Sequence, residues 1–172
     1  VEGRGSRFSL YATVSASNPT VGVNAQDGDV YTPDLTGTFM LLCDDEPTVL
    51  EGLRRLFSSA GALVHAAESM AGFEAILADD SRIPDLIVAD IRLREGATGM
   101  EVADRIRRHF AWAGVIPVAF ITGELLSDHV LRDFAEPFVL LRKSSAPKDL
   151  LTEISRYVTA QRKMKLNLAS DQ

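Results

Sequence analysis

Five side chains that can do chemistry stand at the ends of short apolar runs. Asp90 closes Leu86-Ile87-Val88-Ala89, while Asp44 and Asp45 follow Phe39-Met40-Leu41-Leu42-Cys43. Thr122 follows Val118-Ala119-Phe120-Ile121, and Lys143 follows Phe138-Val139-Leu140-Leu141-Arg142. An unbroken apolar run of this length reads as a strand covered on both faces. If the four strands are parallel, three carboxylates, a hydroxyl and an ammonium converge on one rim, the carboxyl edge at which open α/β sheets bind ligands.

Three crowded carboxylates repel. At an effective dielectric of about 20, two charges about 4 Å apart cost on the order of 4 kcal/mol, so something positive must sit among them. A hard divalent cation suits an all-oxygen donor set, and Mg²⁺ characteristically takes one or two carboxylates, keeps waters and bridges to phosphate.

The segments between these runs must hold the rim together. Pro47 suits a first helical turn, and Val49, Leu50, Leu53, Leu56 and Phe57 recur at helical spacing until Gly61. Leu63-Val64-His65-Ala66 predicts a strand, and Met70, Phe73, Ile76 and Leu77 predict a helix ending near Asp79. Further helices are expected over Met100 to Phe110, over about Leu126 to Phe134, and over Leu150, Leu151, Ile154, Tyr157 and Val158. Such regular strand–helix alternation implies an α/β fold, a parallel sheet with helices on both faces joined by right-handed crossovers.

Taken in order, Leu41-Leu42-Cys43-Asp44-Asp45-Glu46-Pro47, Leu86-Ile87-Val88-Ala89-Asp90-Ile91-Arg92-Leu93, Phe120-Ile121-Thr122-Gly123-Glu124 and Leu140-Leu141-Arg142-Lys143 resemble the receiver domain of two-component response regulators. No one of these motifs is specific alone; the four in this order at strand ends are. The resemblance implies a flavodoxin-like (βα)5 fold, a doubly wound parallel five-stranded sheet of order 2-1-3-4-5. It implies that Asp90 is the nucleophile that takes a phosphoryl group from a phosphohistidine. Thr122 would then hydrogen-bond that group, and Lys143 would stabilise charge on its oxygens. It also implies a Mg²⁺ or Mn²⁺ ion held by Asp44, Asp45, Asp90 and the backbone carbonyl of Arg92. The implied partner is a phosphohistidine donor, either a histidine kinase or a histidine phosphotransfer domain, and a homodimer is left open. The receiver would catalyse its own aspartyl phosphorylation and dephosphorylation.

Upstream, Phe8, Leu10, Ala12 and Val14 alternate with Ser9, Tyr11 and Thr13, which predicts a half-buried strand. The preceding Gly3-Arg4-Gly5-Ser6 makes this stretch resemble the last glycine-rich box and final strand of a sensor histidine kinase ATP-binding domain. The expected organisation is a kinase remnant over 1–14, a linker over 15–37, the receiver over 38–160, and a tail or helix extension over 161–172. Gly, Ser, Thr, Asn, Asp and Pro crowd the linker, a composition that does not offset the cost of ordering it. The resulting expectation is the C-terminal receiver of a hybrid sensor histidine kinase whose catalytic core is not in this sequence.

The bulk numbers agree with one domain plus extensions: 172 residues, 46% of them hydrophobic. A formal charge of −6 and a pI near 5.0 argue against a nucleic-acid surface, which needs clustered Lys and Arg. The lone Cys43 lies inside an apolar run, so an inert buried thiol and a reducing compartment are expected. No apolar run reaches the roughly 20 residues of a membrane span. The expected location is cytoplasmic, without membrane contact by this segment, although the parent kinase is free to be membrane-bound.

His65, His109 and His129 lack the setting of a kinase phosphoacceptor box, and no His/Cys spacing suggests zinc. The chain departs from the family in four places: the loop after Asp90 runs one residue longer before Gly99, and three positions differ in residue type. Lys143 is followed by Ser144 where the family usually has proline, Leu140 stands where it has a switch aromatic, and Arg94 stands four residues after Asp90 where proline is frequent. The departures at Ser144 and Leu140 favour a rival reading, a pseudo-receiver that binds proteins without being phosphorylated; the intact rim favours a phosphoacceptor. A dehalogenase-type phosphatase would need Asp-x-Asp, and Asp44 and Asp45 are adjacent.

Overall fold

The computed structural model describes residues 31–79, 81–123, 131, 134–143 and 145–170. The strand expected over Phe8 to Val14, most of the helix expected over Leu126 to Phe134, and Ser144 lie outside the described residues.

Strands β1 (Phe39–Cys43), β2 (Leu63–Ala67), β3 (Leu86–Asp90), β4 (Val118–Thr122) and β5 (Phe138–Arg142) form one sheet of order β2-β1-β3-β4-β5. Every neighbouring pair is parallel. The order is the 2-1-3-4-5 expected from the resemblance. Helices α1 (Pro47–Ser59), α2 (Met70–Asp79), α3 (Gly99–His109) and α4 (Pro147–Ser170), with 3-10 turns at Arg94–Gly96 and Ala111–Ala113, complete the described elements.

Strand alternation divides the core into two layers. Met40, Leu42, Leu86, Val88, Ala119, Ile121 and Leu141 face Leu50, Leu53 and Phe57 of α1 and Leu150, Ile154 and Val158 of α4. Phe39, Leu41, Cys43, Ile87, Ala89, Val118 and Phe120 face Phe73 of α2 and Val102, Ala103 and Ile106 of α3. Both faces of the sheet are therefore dry, which is why β1, β3 and β4 read as unbroken apolar runs rather than alternating ones. Cys43 is fully buried, and burial pushes its thiol up to about 12, with Asp44, Asp45 and Asp90 adding to the shift.

The elements begin and end where local chemistry dictates. Pro47 opens α1, and Thr98 caps α3 in a reciprocal box in which its hydroxyl accepts from the Glu101 N–H while the Glu101 carboxylate accepts from the Thr98 N–H. His109 sits in the last turn of α3, and His65 packs edge-on against Phe39 with ring centroids 5.1 Å apart.

The expected linker over 15–37 needs correction at its end. Leu35 is completely buried among the α1 and α4 side chains, and its N–H donates to the Ala60 carbonyl at 2.9 Å. The Tyr31 hydroxyl lies 2.8 Å from Ser155 Oγ, which accepts from the Asp34 N–H at 3.1 Å and donates to the Asp34 carbonyl at 2.9 Å. A polar composition does not order itself in water, but this strap lies on a surface already built by the two helices. One buried leucine and one buried serine are among its anchors. At the other end, residues 161–170 are the helix extension: α4 continues to Ser170, and Arg162 donates to the Gly37 carbonyl at 2.9 Å and to Thr38 Oγ1 at 3.1 Å. Both ends of the domain therefore reach beyond 38–160.

Candidate functional site

The site lies at the carboxyl ends of β1, β3, β4 and β5. Cys43 pairs with Ala89, so the next residues, Asp44 and Asp90, leave the sheet side by side. Asp90 pairs in turn with Ile121, and Thr122 pairs with Arg142. Consecutive register thus brings each predicted residue to the same rim. Among the described residues, Asp44, Asp45 and Asp90 each offer a carboxylate oxygen within 4.8 Å of the others.

Asp44 divides its two oxygens between two jobs. Oδ1 accepts the Glu46 N–H at 3.0 Å and so turns the chain into α1, where Glu46 makes no side-chain cap of its own. Oδ2 is buried, lies 2.6 Å from Lys143 Nζ, and forms no aligned hydrogen bond among the described residues. Burial pushes the Asp44 carboxyl up, and although Lys143 and the Glu46 N–H pull it back, the result stays raised.

Lys143 bridges buried Asp44 and partly buried Asp90, contacting Oδ2 of each. Burial alone would lower its ammonium; the close contacts and charges of Asp44 and Asp90 outweigh burial, and it ends raised. The Lys143 N–H donates to the Thr122 carbonyl at 2.8 Å, which ties the lysine's backbone to the end of β4. Thr122 is itself buried at 3% exposure. Leu140, at the position of the family's switch aromatic, pairs with Phe120 and packs half-buried in the α2/α3 layer.

The loop after Asp90 is closed on itself. The Arg92 N–H donates to Asp90 Oδ1 at 3.2 Å, Arg92 bridges to Thr98, and the Gly99 N–H donates to the Ile91 carbonyl at 3.0 Å. This loop brings two residues to the site whose importance the sequence did not announce. Arg94 Nε lies 2.9 Å from Asp45 Oδ2. Gly99 approaches the Asp90 carbonyl so closely that a Cβ there would stand 2.0 Å from the oxygen. The family departure at Arg94 was a signal for the first; the extra residue in the loop before Gly99 pointed to the second without revealing its contact with the Asp90 carbonyl.

Three mutually close carboxylates, one with a buried oxygen lacking an aligned hydrogen bond, form an all-oxygen donor set that fits a hard divalent cation. With a doubly wound sheet of order 2-1-3-4-5, acids on β1 and β3, a hydroxyl on β4 and a lysine after β5, the chain has the build of a two-component receiver. Residues 40–155 match the family model described as "Response regulator receiver domain", and the chain belongs to that family.

Among curated relatives, it is 28% identical over 119 residues to the phyllosphere-induced regulator PhyR of Methylorubrum extorquens, covering 69% of this chain and 43% of that protein. It is 29% identical over 112 residues to the nitrate/nitrite response regulator protein NarL of Escherichia coli K12, covering 65% of this chain and 50% of that one. The chain thus spans about half the length of the curated relatives it matches. A response regulator receiver protein from Sinorhizobium medicae superimposes with a TM-score of 0.59 at 26% identity, covering 74% of this chain and 99% of that one. No helix among the described residues is long and apolar enough to cross a membrane.

Proposed function

We propose that this receiver is a phosphoacceptor in a phosphorelay, with Asp90 taking the phosphoryl group of a phosphohistidine. The observation that carries this reading is the cluster of Asp44, Asp45 and Asp90 bridged by Lys143. A carboxylate oxygen of Asp90 attacks phosphorus, the P–N bond to the imidazole breaks, and the nitrogen keeps the electron pair and takes up a proton. Lys143, already against Asp90, follows the charge that moves onto the transferring oxygens. The Thr122 hydroxyl donates to the bound group, and Gly123 leaves room beside it.

Asp44, Asp45, Asp90 and the carbonyl of Arg92 would hold Mg²⁺ or Mn²⁺. When bound, the cation neutralises the carboxylates and polarises the phosphoryl group. The donor would be a histidine kinase or a histidine phosphotransfer domain. Gly3 to Val14 supports placing the receiver after the ATP-binding domain of a hybrid kinase; sequencing the upstream reading frame tests that placement, because histidine and nucleotide boxes should precede residue 1.

Intact-mass spectrometry after incubation with acetyl phosphate tests the central claim. The expected result is one added phosphoryl group in the presence of Mg²⁺, none after chelation, and none in Asp90→Asn. If neither acetyl phosphate nor a phosphorylated histidine kinase labels the folded chain, a protein-binding pseudo-receiver replaces this reading.

A further inference from the structure

Lys143 serves Asp44 and Asp90, and Asp45 is served by Arg94 from the loop after β3. Arg94 Nε lies 2.9 Å from Asp45 Oδ2, with the arginine side chain 71% exposed and the aspartate 20%. The arginine stands on a 3-10 turn, Arg94–Gly96, whose base is closed by the Ala97 N–H donating to the Arg94 carbonyl at 3.3 Å and the Leu93 N–H donating to the Ala97 carbonyl at 3.1 Å. Gly96, at a φ of 77°, lets so short a loop close. The backbone under the guanidinium is therefore fixed, and only side-chain freedom is spent in reaching Asp45.

We propose that Arg94 is a built-in competitor for the divalent cation, holding Asp45 in the cation-free receiver and setting the cation concentration at which the site fills. This rests on the reading of the carboxylate cluster as a cation site. Three carboxylates against Lys143 and Arg94 leave the rim with one net negative charge; without the arginine it carries two. A carboxylate oxygen engaged by a guanidinium must be released before it can ligate, so a cation that takes Asp45 Oδ2 displaces Arg94. Because the arginine is largely exposed, the effect is modest: ion pairs with so solvated a partner shift an equilibrium about two- to fivefold. Loading of the site would then respond to ionic strength as well as to the cation, a form of regulation that a proline at this position has no means to provide.

The test is a Mg²⁺ titration of the whole unphosphorylated chain, with no phosphodonor present, read by calorimetry or by amide shifts of residues 44–46 and 90–92. At low ionic strength Arg94→Ala should lower the half-saturating Mg²⁺ about two- to fivefold, with Arg94→Lys between it and the wild type. The gap should close near 1 M NaCl, where the Debye length is about 3 Å. Equal midpoints for wild type and Arg94→Ala at low salt overturn the proposal and leave the cation site standing. If neither protein binds Mg²⁺, both readings fall.

Discussion

Gly99, the first residue of α3, touches the carbonyl of Asp90, the last residue of β3: a Cβ on Gly99 would stand 2.0 Å from that oxygen and 3.0 Å from the Ala89 Cβ. The helix is seated on the backbone of the proposed nucleophile, and the contact admits no side chain.

Gly99→Ala must therefore move either α3 or Asp90. Overpacking of this kind costs about 1–3 kcal/mol, and a displacement of the nucleophile by about 1 Å can slow a positioned reaction about a hundredfold. The expected outcome is a lower urea midpoint together with labelling by acetyl phosphate that is at least about tenfold slower. Gly52→Ala is the control, since nothing lies within 4 Å of a Cβ there and the site is mid-helix; it should gain roughly 0.5–1 kcal/mol. Unchanged labelling in Gly99→Ala would show that the Asp90 carboxylate is not held by this contact.

The sheet and the carboxylate cluster were legible because burial on both faces leaves a plain mark, unbroken apolar runs at 39–43, 86–89 and 118–121, and because each run hands its next polar residue to the same rim. The strap was not legible. Its order comes from Leu35, whose N–H reaches Ala60, and from Ser155, 124 positions from Tyr31 and 121 from Asp34, contacts invisible to any local window. Arg94 stood out as a departure from the family, yet its partnership with Asp45 depends on how the loop closes through Arg92 and Thr98, which spacing does not reveal. Asp44 shows the opposite limit: a cap and a metal ligand are alternatives in sequence, whereas in the structure one oxygen caps the turn and the other faces the cluster.

If the strap belongs to the domain, it should contribute to stability. Leu35→Ala is expected to cost about 2–5 kcal/mol, as for other fully buried leucines. Ser155→Ala should cost about 1–3 kcal/mol, because the Asp34 N–H and carbonyl lose their partner at a residue 1% exposed. Urea denaturation of the two variants, beside a chain beginning at residue 38, decides the matter. A shortened chain as stable as the full one would return residues 31–37 to the linker.

The Asp44 carboxyl is raised mainly by burial, so its ionised form is disfavoured in the folded state. The sign follows: the contribution is favourable at low pH, where the group is protonated, and is lost as pH rises through the raised folded value. At neutral pH without a divalent cation, Asp44 should therefore cost stability. Asp44→Asn keeps an oxygen to accept the Glu46 N–H and removes the charge. It should melt higher than the wild type in chelator, by about 2–4 °C. Added Mg²⁺ should narrow or reverse the difference, since the variant has lost a ligand. An Asp44→Asn protein that melts lower in chelator would mean that the Lys143 pairing outweighs the crowding.

Lys143 gives the opposite sign and the sharpest separation of binding from chemistry. Its ammonium is raised because Asp44 and Asp90 outweigh burial, so its contribution to stability is fully present below the unfolded lysine value of about 10.4 and is lost as pH rises through the higher folded one. Lys143→Met keeps most of the stem and removes the charge. Without a divalent cation, the variant should be less stable than the wild type by an amount that stays level from pH 7 to about 10 and shrinks above that. Its Mg²⁺ affinity should hold or rise, because the cluster has become more negative. Labelling at saturating Mg²⁺ should nevertheless fall about 10²–10³-fold, the usual loss when a preorganised group that meets developing charge is removed. Calorimetry and intact-mass kinetics on the same preparation read the two effects separately. Were Mg²⁺ affinity to collapse while labelling at saturation stayed at the wild-type rate, Lys143 would be a structural support of the cation site and its part in the transfer would have to be given up.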